Sequence, residues 1–470
     1  MRQTQSRNVN QLIASTLVAA LLGACSNLPA QINPPENRAS GLILTLETTA
    51  QDTQAGLEQR YGGEMLAFEP NAGFAILHTL KQPASSDTHV KSVQMDEETQ
   101  LPETQTGSSE PQLKTRGSTS WGSGSHAWGS GITAWSGGWA TWGSGIGAWS
   151  GGVGSSVPAL PSANNAAWEQ IKLREAQQLA RRLGEGVKVA VIDTGLDLEH
   201  PIFRNRLAPK NEWKDFVDGD LNPQEVSGGN GYGHGTAVAG IILQVAPRAT
   251  ILPIRVLGSD GGGRTVNVIS GIAHAVRMGA QIINVSVGTD GFDVALFEIC
   301  KYANKRGVRI VASAGNSGLK NGVTSPAQFS WLEGTKGRTI GIGSVNSSDS
   351  LSGFSAYGRG LYAVAPGEKI ATAFPNHRVT LATGTSFAAP LFTGALALVE
   401  SELPSISKGI QLEQTLWSSL NFAVSDKIKL EKDVNTLSPR LQLDQLLRSL
   451  TISSEKSNLD SLPARVVPAH

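Results

Sequence analysis

The sequence predicts an α/β protein: a doubly wound, mostly parallel sheet with helices on both faces, preceded by a small βαβ unit and a disordered linker. Three observations predict it. Short apolar runs at 187–192, 250–256, 281–286, 307–312 and 338–345 alternate with helical stretches, notably 265–279, where Thr265 is placed to cap the first turn. The runs are apolar at almost every position, the pattern of a parallel sheet covered on both faces. The composition also breaks sharply between 81 and 165. That break separates a short N-terminal apolar block from a region of roughly 280 residues, long enough for one large core.

Residues 1–25 read as a targeting segment. Arg2 and Arg7 form a basic start, and the apolar stretch from Leu12 to Ala24 is too short to span a bilayer comfortably. It ends Leu22-Gly23-Ala24-Cys25, which resembles the bacterial lipoprotein box. The resemblance implies that Cys25 is acylated and becomes the first mature residue; an ordinary secretory signal with an incidental cysteine is the alternative. Ser26 in the next position fits release to the outer membrane of a double-membraned bacterium. The expectation is therefore export across the inner membrane and a cell-envelope lipoprotein, held at the membrane by acyl chains on one cysteine. The only other cysteine is Cys300. With Cys25 lipidated no intramolecular disulfide is possible, and Cys300, in a helical stretch at 294–305, reads as a small buried hydrophobe.

Residues 40–80 carry the small βαβ pattern: a strand at 42–47, a helix from Thr53 to Tyr61 stopped by Gly-Gly, and a strand at 73–80. From 81 to 116 Ser, Thr, Gln, Glu and Pro dominate, too polar to bury a core. Within 117–154, Trp121, Trp128, Trp135, Trp142 and Trp149 recur every seven residues, with Trp139 interleaved. The glycines between them argue against a heptad helix. Two readings stay open: a flexible tether, or a sticky or glycan-binding segment, because indole faces stack on sugars and gather at membrane interfaces. The large region is drawn at 166–450, and 451–470 as a loose tail.

Three motif blocks lie in the large region. VAVIDTG at 189–195 ends a buried strand on Asp193, where an aspartate is also the ordinary turn former. NGYGHGTAVAGII at 230–242 crowds glycines around His234 before an apolar helical run, and Gly233 and Gly235 allow close backbone approach. GTSFAAP at 384–390 sets Ser386 where a loop becomes a helix, so unpaired N–H groups there favour developing negative charge. Alone, each block has a structural explanation. Together they run Asp193, His234, Ser386, the Asp–His–Ser order of subtilisin, whereas an α/β-hydrolase needs G-x-S-x-G in another order.

On these blocks the chain resembles the subtilisin-like serine proteases. IVASAGNSG at 310–318 resembles the segment bearing that family's oxyanion asparagine, which maps to Asn316. INVSVG at 283–288 resembles the strand that pairs with an extended substrate, so Ser286, Val287 and Gly288 would supply backbone hydrogen bonds and one pocket wall. VAPRATILPIRVL at 245–257 and LQLDQLLRSL at 441–450 resemble the loop and strand after the histidine helix and the family's last helix. The 40–80 unit resembles the inhibitor-like propeptides of some subtilases; a small domain without inhibitory role is the alternative. The resemblance implies an endopeptidase acting on polypeptides, made as a self-processing precursor.

Some classes are excluded. Thirty-nine basic and thirty-nine acidic residues cancel, leaving no electrostatic case for nucleic acid. No cofactor is implied. Calcium is possible but unsupported: where many subtilases carry a ligating aspartate after His-Pro, this chain has Ile202 after His200-Pro201, and an alkyl group cannot ligate a hard cation. His200 and His274 read as a turn residue and a helix-face residue. The protein is expected to be a monomer. The rival to an active enzyme is an inactive subtilase fold used as an envelope binding or scaffold protein.

Overall fold

The computed structural model describes residues 41–96, 98–100, 162–402, 427–429, 437–439 and short pieces between 441 and 448. The readings for Cys25 and residues 1–25, for the tryptophan repeat and for the tail lie outside the described residues.

The N-terminal unit begins with β1 (Leu42–Glu47) and α1 (Gln54–Tyr61). Thr53 starts the helix by accepting the Gly56 N–H at 3.1 Å. Two strands follow, β2 (Gly63–Glu69) and β3 (Phe74–Thr79), then β4 (Val90–Met95) and β5 (Glu98–Gln100). The sheet order is β2-β3-β1-β4, with β3 antiparallel to both β1 and β2. This corrects the sequence reading twice. The strands at 42–47 and 73–80 are antiparallel neighbours rather than the two ends of one βαβ crossover, and the ordered unit continues into the stretch assigned to the linker. The reasons are local: a bulge between Met65 and Ala67 breaks the alternation of β2, and β4 is a sheet edge whose side chains are nowhere fully buried.

The small sheet is covered on both faces. Leu44, Leu46, Ala75 and Leu77 pack with Leu57 and Tyr61 of α1, while Ile43, Phe74 and Ile76 join the core of the large domain. That sharing explains why β1 is apolar nearly throughout.

The large domain opens with α2 (Asn165–Gln170) and α3 (Leu173–Leu179), which bury Trp168, Leu173 and Ala176. Then come β6 (Lys188–Asp193), β7 (Lys214–Asp215), α4 (His234–Val245), β8 (Thr250–Arg255), β9 (Gly262–Arg264) and α5 (Thr265–Arg277). They are followed by β10 (Ile282–Val285), α6 (Val294–Lys305), β11 (Arg309–Ser313), β12 (Thr339–Val345) and β13 (Ala363–Pro366). A hairpin of β14 (Ile370–Phe374) and β15 (Arg378–Ala382), the long α7 (Thr385–Glu402), and the short pair β16 (Lys427–Lys429) and β17 (Leu437–Pro439) complete it. Residues 443–445 and 447–448, within the segment read as the last helix, are helical, and Leu443 and Leu447 are buried.

Seven strands form one parallel sheet in the order β13-β12-β11-β10-β6-β8-β7. Alternate residues divide its faces. Val189 and Val191 pack with α4 and α7, whereas Ala190 and Ile192 pack with α5 and α6. The predicted parallel sheet with helices on both faces is present, and four of the five predicted strands begin and end within about a residue of the observed ones; β11 starts two residues late. β13 and the β14–β15 hairpin were not foreseen.

The small sheet lies against the outer side of α5 and α6 and supplies acceptors to both helix starts. Asp96 Oδ1 accepts the Val266 N–H at 3.1 Å, and Gln94 Oε1 accepts the Ala295 N–H at 3.0 Å. Thr265 is thus the first helical residue rather than the cap; the N-cap is Arg264, and a carboxylate from the N-terminal unit serves the first turn. Arg264 also pairs with Asp96 and His78, Arg306 pairs with Glu69, and Phe74 meets Tyr302 edge-on at 5.7 Å. β5 pairs antiparallel with β9, so the unit leaves as a strand added to the large domain. Cys300 is fully buried on α6, and desolvation raises its thiol pKa far above the ordinary value.

His200 shows how burial sets protonation. Its Nδ1 accepts the Ile202 N–H at 3.3 Å and its Nε2 lies 3.1 Å from the Arg378 carbonyl, which needs a neutral ring protonated on Nε2. Burial depresses its pKa from 6.5 to about 4. The unfolded chain therefore takes up the proton first as pH falls, so the contribution is intact above 6.5 and is lost between 6.5 and 4. Its full size is about 3 kcal/mol. His200→Asn should show a flatter decline of the unfolding midpoint over that window; parallel curves would remove His200 from the account. His274 donates from Nε2 to the Glu212 carbonyl at 2.7 Å, half-buried on its helix face.

Candidate active site

β6 is the strand where the winding reverses, with β8 on one side and β10 on the other. The crevice beyond the carboxyl ends of such strands is where α/β sheets hold their sites. Asp193 is the last residue of β6 and is fully buried. Its Oδ1 accepts the Thr194 N–H at 2.8 Å and lies 2.7 Å from His234 Nδ1.

His234 opens α4, a helix buried all round. The flanking glycines are steric necessities. At Gly233, where φ is +89°, a Cβ would lie 2.4 Å from the Phe374 ring; at Gly235 it would lie 2.1 Å from the Gly195 carbonyl oxygen. Gly235 therefore lets the histidine helix touch the turn that carries Asp193. On its other side the imidazole packs against Phe387, ring centroids 5.2 Å apart.

Ser386 is the second residue of α7 and is fully buried in this state. Its hydroxyl donates to the Ser286 carbonyl at 3.1 Å. The return bond has a sequence cause. Pro390 has no N–H, so the carbonyl four residues earlier, that of Ser386, loses its helical partner. The Ser286 hydroxyl donates to it instead at 3.0 Å. Asn284 Nδ2 in turn donates to Ser286 Oγ at 2.9 Å, and Thr393 of α7 donates to Asn284 Oδ1 at 2.7 Å. This chain of bonds ties the end of β10 to the first turns of α7. Breaking one link would strand a buried polar group, at a cost of about 1–3 kcal/mol.

Asn316 sits beyond the end of β11 and is buried. Its Oδ1 accepts both the N–H of Thr385, at 3.0 Å, and its hydroxyl, at 2.8 Å. The Gly315 N–H donates to Thr385 Oγ1 at 3.1 Å. With Oδ1 taken up by Thr385, the amide Nδ2 is left as the donor end of the side chain. Ser286, Val287 and Gly288 follow β10 directly and are buried, with Thr324 against Gly288.

Comparison with known proteins identifies the family. The family model described as the subtilase family, Peptidase_S8, matches residues 184–438. Thermitase of Thermoactinomyces vulgaris is 34% identical over 249 residues, 51% of this chain and 83% of thermitase. The major intracellular serine protease of Bacillus subtilis (strain 168) is 37% identical over 246 residues, 50% of this chain and 75% of that protein. The chain belongs to the subtilase family. Among solved structures, that of a cold adapted subtilisin-like serine proteinase matches at 32% identity and a TM-score of 0.47, over 56% of this chain and 90% of the other.

This subtilase is accordingly a subtilisin-like serine protease. Of the site residues picked out in the large domain, Asp193 and His234 are in direct contact, Ser386 precedes the phenylalanine on the imidazole and donates to the Ser286 carbonyl, and Asn316 is bonded to Thr385. Sequence reasoning passed over Thr194, Glu225, Asn284 and Thr385. Asn284 had a signal, being polar in an apolar strand run; Glu225 had none, in a loop rich in Gly, Asp and Asn.

Proposed function

We propose that the protein is an endopeptidase in which Ser386, His234 and Asp193 act as a catalytic triad on polypeptide substrates. The contact between His234 Nδ1 and Asp193 Oδ1 at 2.7 Å, with the same ring against the neighbour of Ser386, carries the reading. His234 takes the Ser386 proton as Oγ bonds to the scissile carbonyl carbon, then delivers it to the leaving amine as the C–N bond breaks. Asp193 holds the imidazole in the tautomer with its proton on Nδ1 and stabilises the imidazolium. Water then hydrolyses the acyl-enzyme. The Ser386 N–H, in the first turn of α7, and Asn316 Nδ2 stabilise the oxyanion. The backbone of Ser286, Val287 and Gly288 binds the extended substrate.

The N-terminal unit acts as an inhibitory propeptide. Its packing on α5 and α6 and the strand pairing of β5 with β9 support that role. Because β4 and β5 belong to the docked unit, the processing cut falls beyond Gln100. Acylation at Cys25 would hold the precursor in the cell envelope, at the outer membrane, and the cut would release a monomeric protease. The test is a fluorophosphonate probe on the full chain together with the sizes and fractions of the products. Wild type should label and appear shortened in the soluble fraction, whereas Ser386→Ala should stay unlabelled, full length and membrane-bound. A folded wild-type protein that never labels would end the hydrolase reading; identical bound, full-length forms of both would end the release model.

Asn316→Ala should lower kcat about 10²–10³-fold with KM nearly unchanged, the size of effect known for the oxyanion donor in subtilisin, a member of this family. The variant also strips Thr385 of its acceptor, so its melting temperature should fall modestly. An unchanged kcat would remove Asn316 from the oxyanion site.

A further inference from the structure

We propose that Glu225 is a positioning residue of this site, a buried carboxyl that couples the turn carrying His234 to the turn carrying Asp193 through the Thr194 hydroxyl. The proposal rests on the triad reading above.

Glu225 lies in the loop before α4 and is 6% exposed. Four donors from two separate segments converge on it. Oε2 accepts the Gly233 N–H at 2.9 Å; Oε1 accepts the Thr236 N–H at 3.2 Å, the Thr236 hydroxyl at 3.3 Å and the Thr194 hydroxyl at 3.1 Å. It therefore grips the backbone on both sides of His234 and caps a helix whose N-cap residue, Gly233, has no side chain to do so. Its own N–H donates to the Leu196 carbonyl, three residues beyond Asp193. A carboxylate buried this deeply and bonded to both turns restrains the distance between the imidazole and its partner.

Thr194 makes the coupling chemical as well as mechanical. Its Oγ1 accepts the Gly235 N–H at 3.0 Å and lies 3.1 Å from Glu225 Oε1 and 3.3 Å from Asp193 Oδ1. The hydroxyl has one proton for two carboxyl groups. When Glu225 is ionised it takes that proton's hydrogen bond. When Glu225 is protonated its own O–H donates to Thr194 Oγ1, and the Thr194 hydroxyl turns to Asp193. Asp193 then carries an additional donor and is a weaker acceptor for His234 Nδ1–H.

Burial pushes the Glu225 carboxyl up to about 8, against the hydrogen bonds that favour its charge, so both forms are reached in mildly alkaline solution. The other ionisable groups around it are Asp193 and His234, Asp197, whose N–H donates to Thr236 Oγ1, and Tyr232 on the loop into α4. Arg255 passes Gly195 but commits its guanidinium to Asp215 and Asp218.

The experiment compares kcat, KM and the pH profile of kcat/KM for the full chain and for Glu225→Gln, Thr194→Val and Thr194→Ser. Wild type should show, above the histidine limb, a second rise near pH 8 as Glu225 ionises. Glu225→Gln should lose that rise and lower kcat by about 10-fold or more with KM within about threefold, the signature of misplaced groups rather than lost binding. Thr194→Val, which leaves the Glu225 cap in place, should lose the same rise, and Thr194→Ser should restore it. Ser386→Ala in the same assay separates the two levels. If it is inactive while folded Glu225→Gln and Thr194→Val superimpose on wild type, Glu225 has no positioning role; if Ser386→Ala keeps its activity, the triad reading itself falls.

Discussion

Ser386→Ala should lower kcat/KM by about 10⁶-fold, the scale of loss known when the nucleophile is removed from subtilisin. The effect is this large because, in the proposed mechanism, the acyl intermediate forms on Ser386 Oγ. What remains, roughly 10³–10⁴-fold over water, would come from the oxyanion donors and substrate binding, neither of which needs Oγ. The hydroxyl donates to the Ser286 carbonyl, and the reciprocal bond from Ser286 Oγ to the Ser386 carbonyl survives the substitution. Stability should therefore change by only about 1 kcal/mol, a few degrees in melting temperature. Adding a substitution at His234 should cost little more, since nucleophile and base act as one unit. The measurement is kcat/KM on a peptide substrate beside a melting curve. A loss below tenfold in folded protein would show that another group attacks.

Asp193→Asn should lower kcat by about 10⁴-fold with KM within a few-fold, by analogy with the corresponding substitution in another serine protease fold. Asp193 Oδ1 now accepts from His234 Nδ1 and the Thr194 N–H, with the Thr194 hydroxyl oxygen 3.3 Å away. An amide cannot serve that set in the same way. If its oxygen stays toward Thr194 and the ring, the charge that stabilises the imidazolium is lost. If its nitrogen faces the ring, His234 must accept on Nδ1 and carry its proton on Nε2, where it cannot take one from Ser386. Both outcomes reduce the chemical step and leave substrate contacts alone. Steady-state kinetics with the folded variant check this; a kcat within tenfold of wild type would make Asp193 a structural turn residue after all.

The legible part of the site is confined to short stretches. Asp193 at a strand end, His234 between two glycines and Ser386 at a loop-to-helix junction could be read because turn and cap chemistry act within a few residues. The loss of an N–H at Pro390 was equally local, but the Ser286 hydroxyl that answers it comes from a hundred residues away. Glu225 illustrates the opposite case. Nothing near it in sequence distinguishes it from a solvated loop carboxylate, and its role arises from Thr194, 31 residues earlier, and from Gly233 and Thr236. The same holds for secondary structure. Strands buried on both faces declared themselves by continuous apolar runs, whereas β4 is a strand because β1 provides a ladder for it, its own side chains being half or fully exposed. At the start of α5 the local candidate, Thr265, yielded to Asp96 from a separate unit.

By itself, then, the sequence determined the order of strands and helices, the parallel character of the large sheet and the three turns that bear Asp193, His234 and Ser386. Those features follow from hydrophobic period and from backbone chemistry within about one turn of each residue. The tertiary structure decided which distant groups answer the open N–H and C=O positions, that the N-terminal sheet is shared between α1 and the α5–α6 face, and that Glu225 joins the histidine turn to the aspartate turn. The physical reason is that loop-closure entropy varies only slowly with the length of chain between two groups. Spacing in the sequence therefore says little about which partner is chosen, and packing makes the choice.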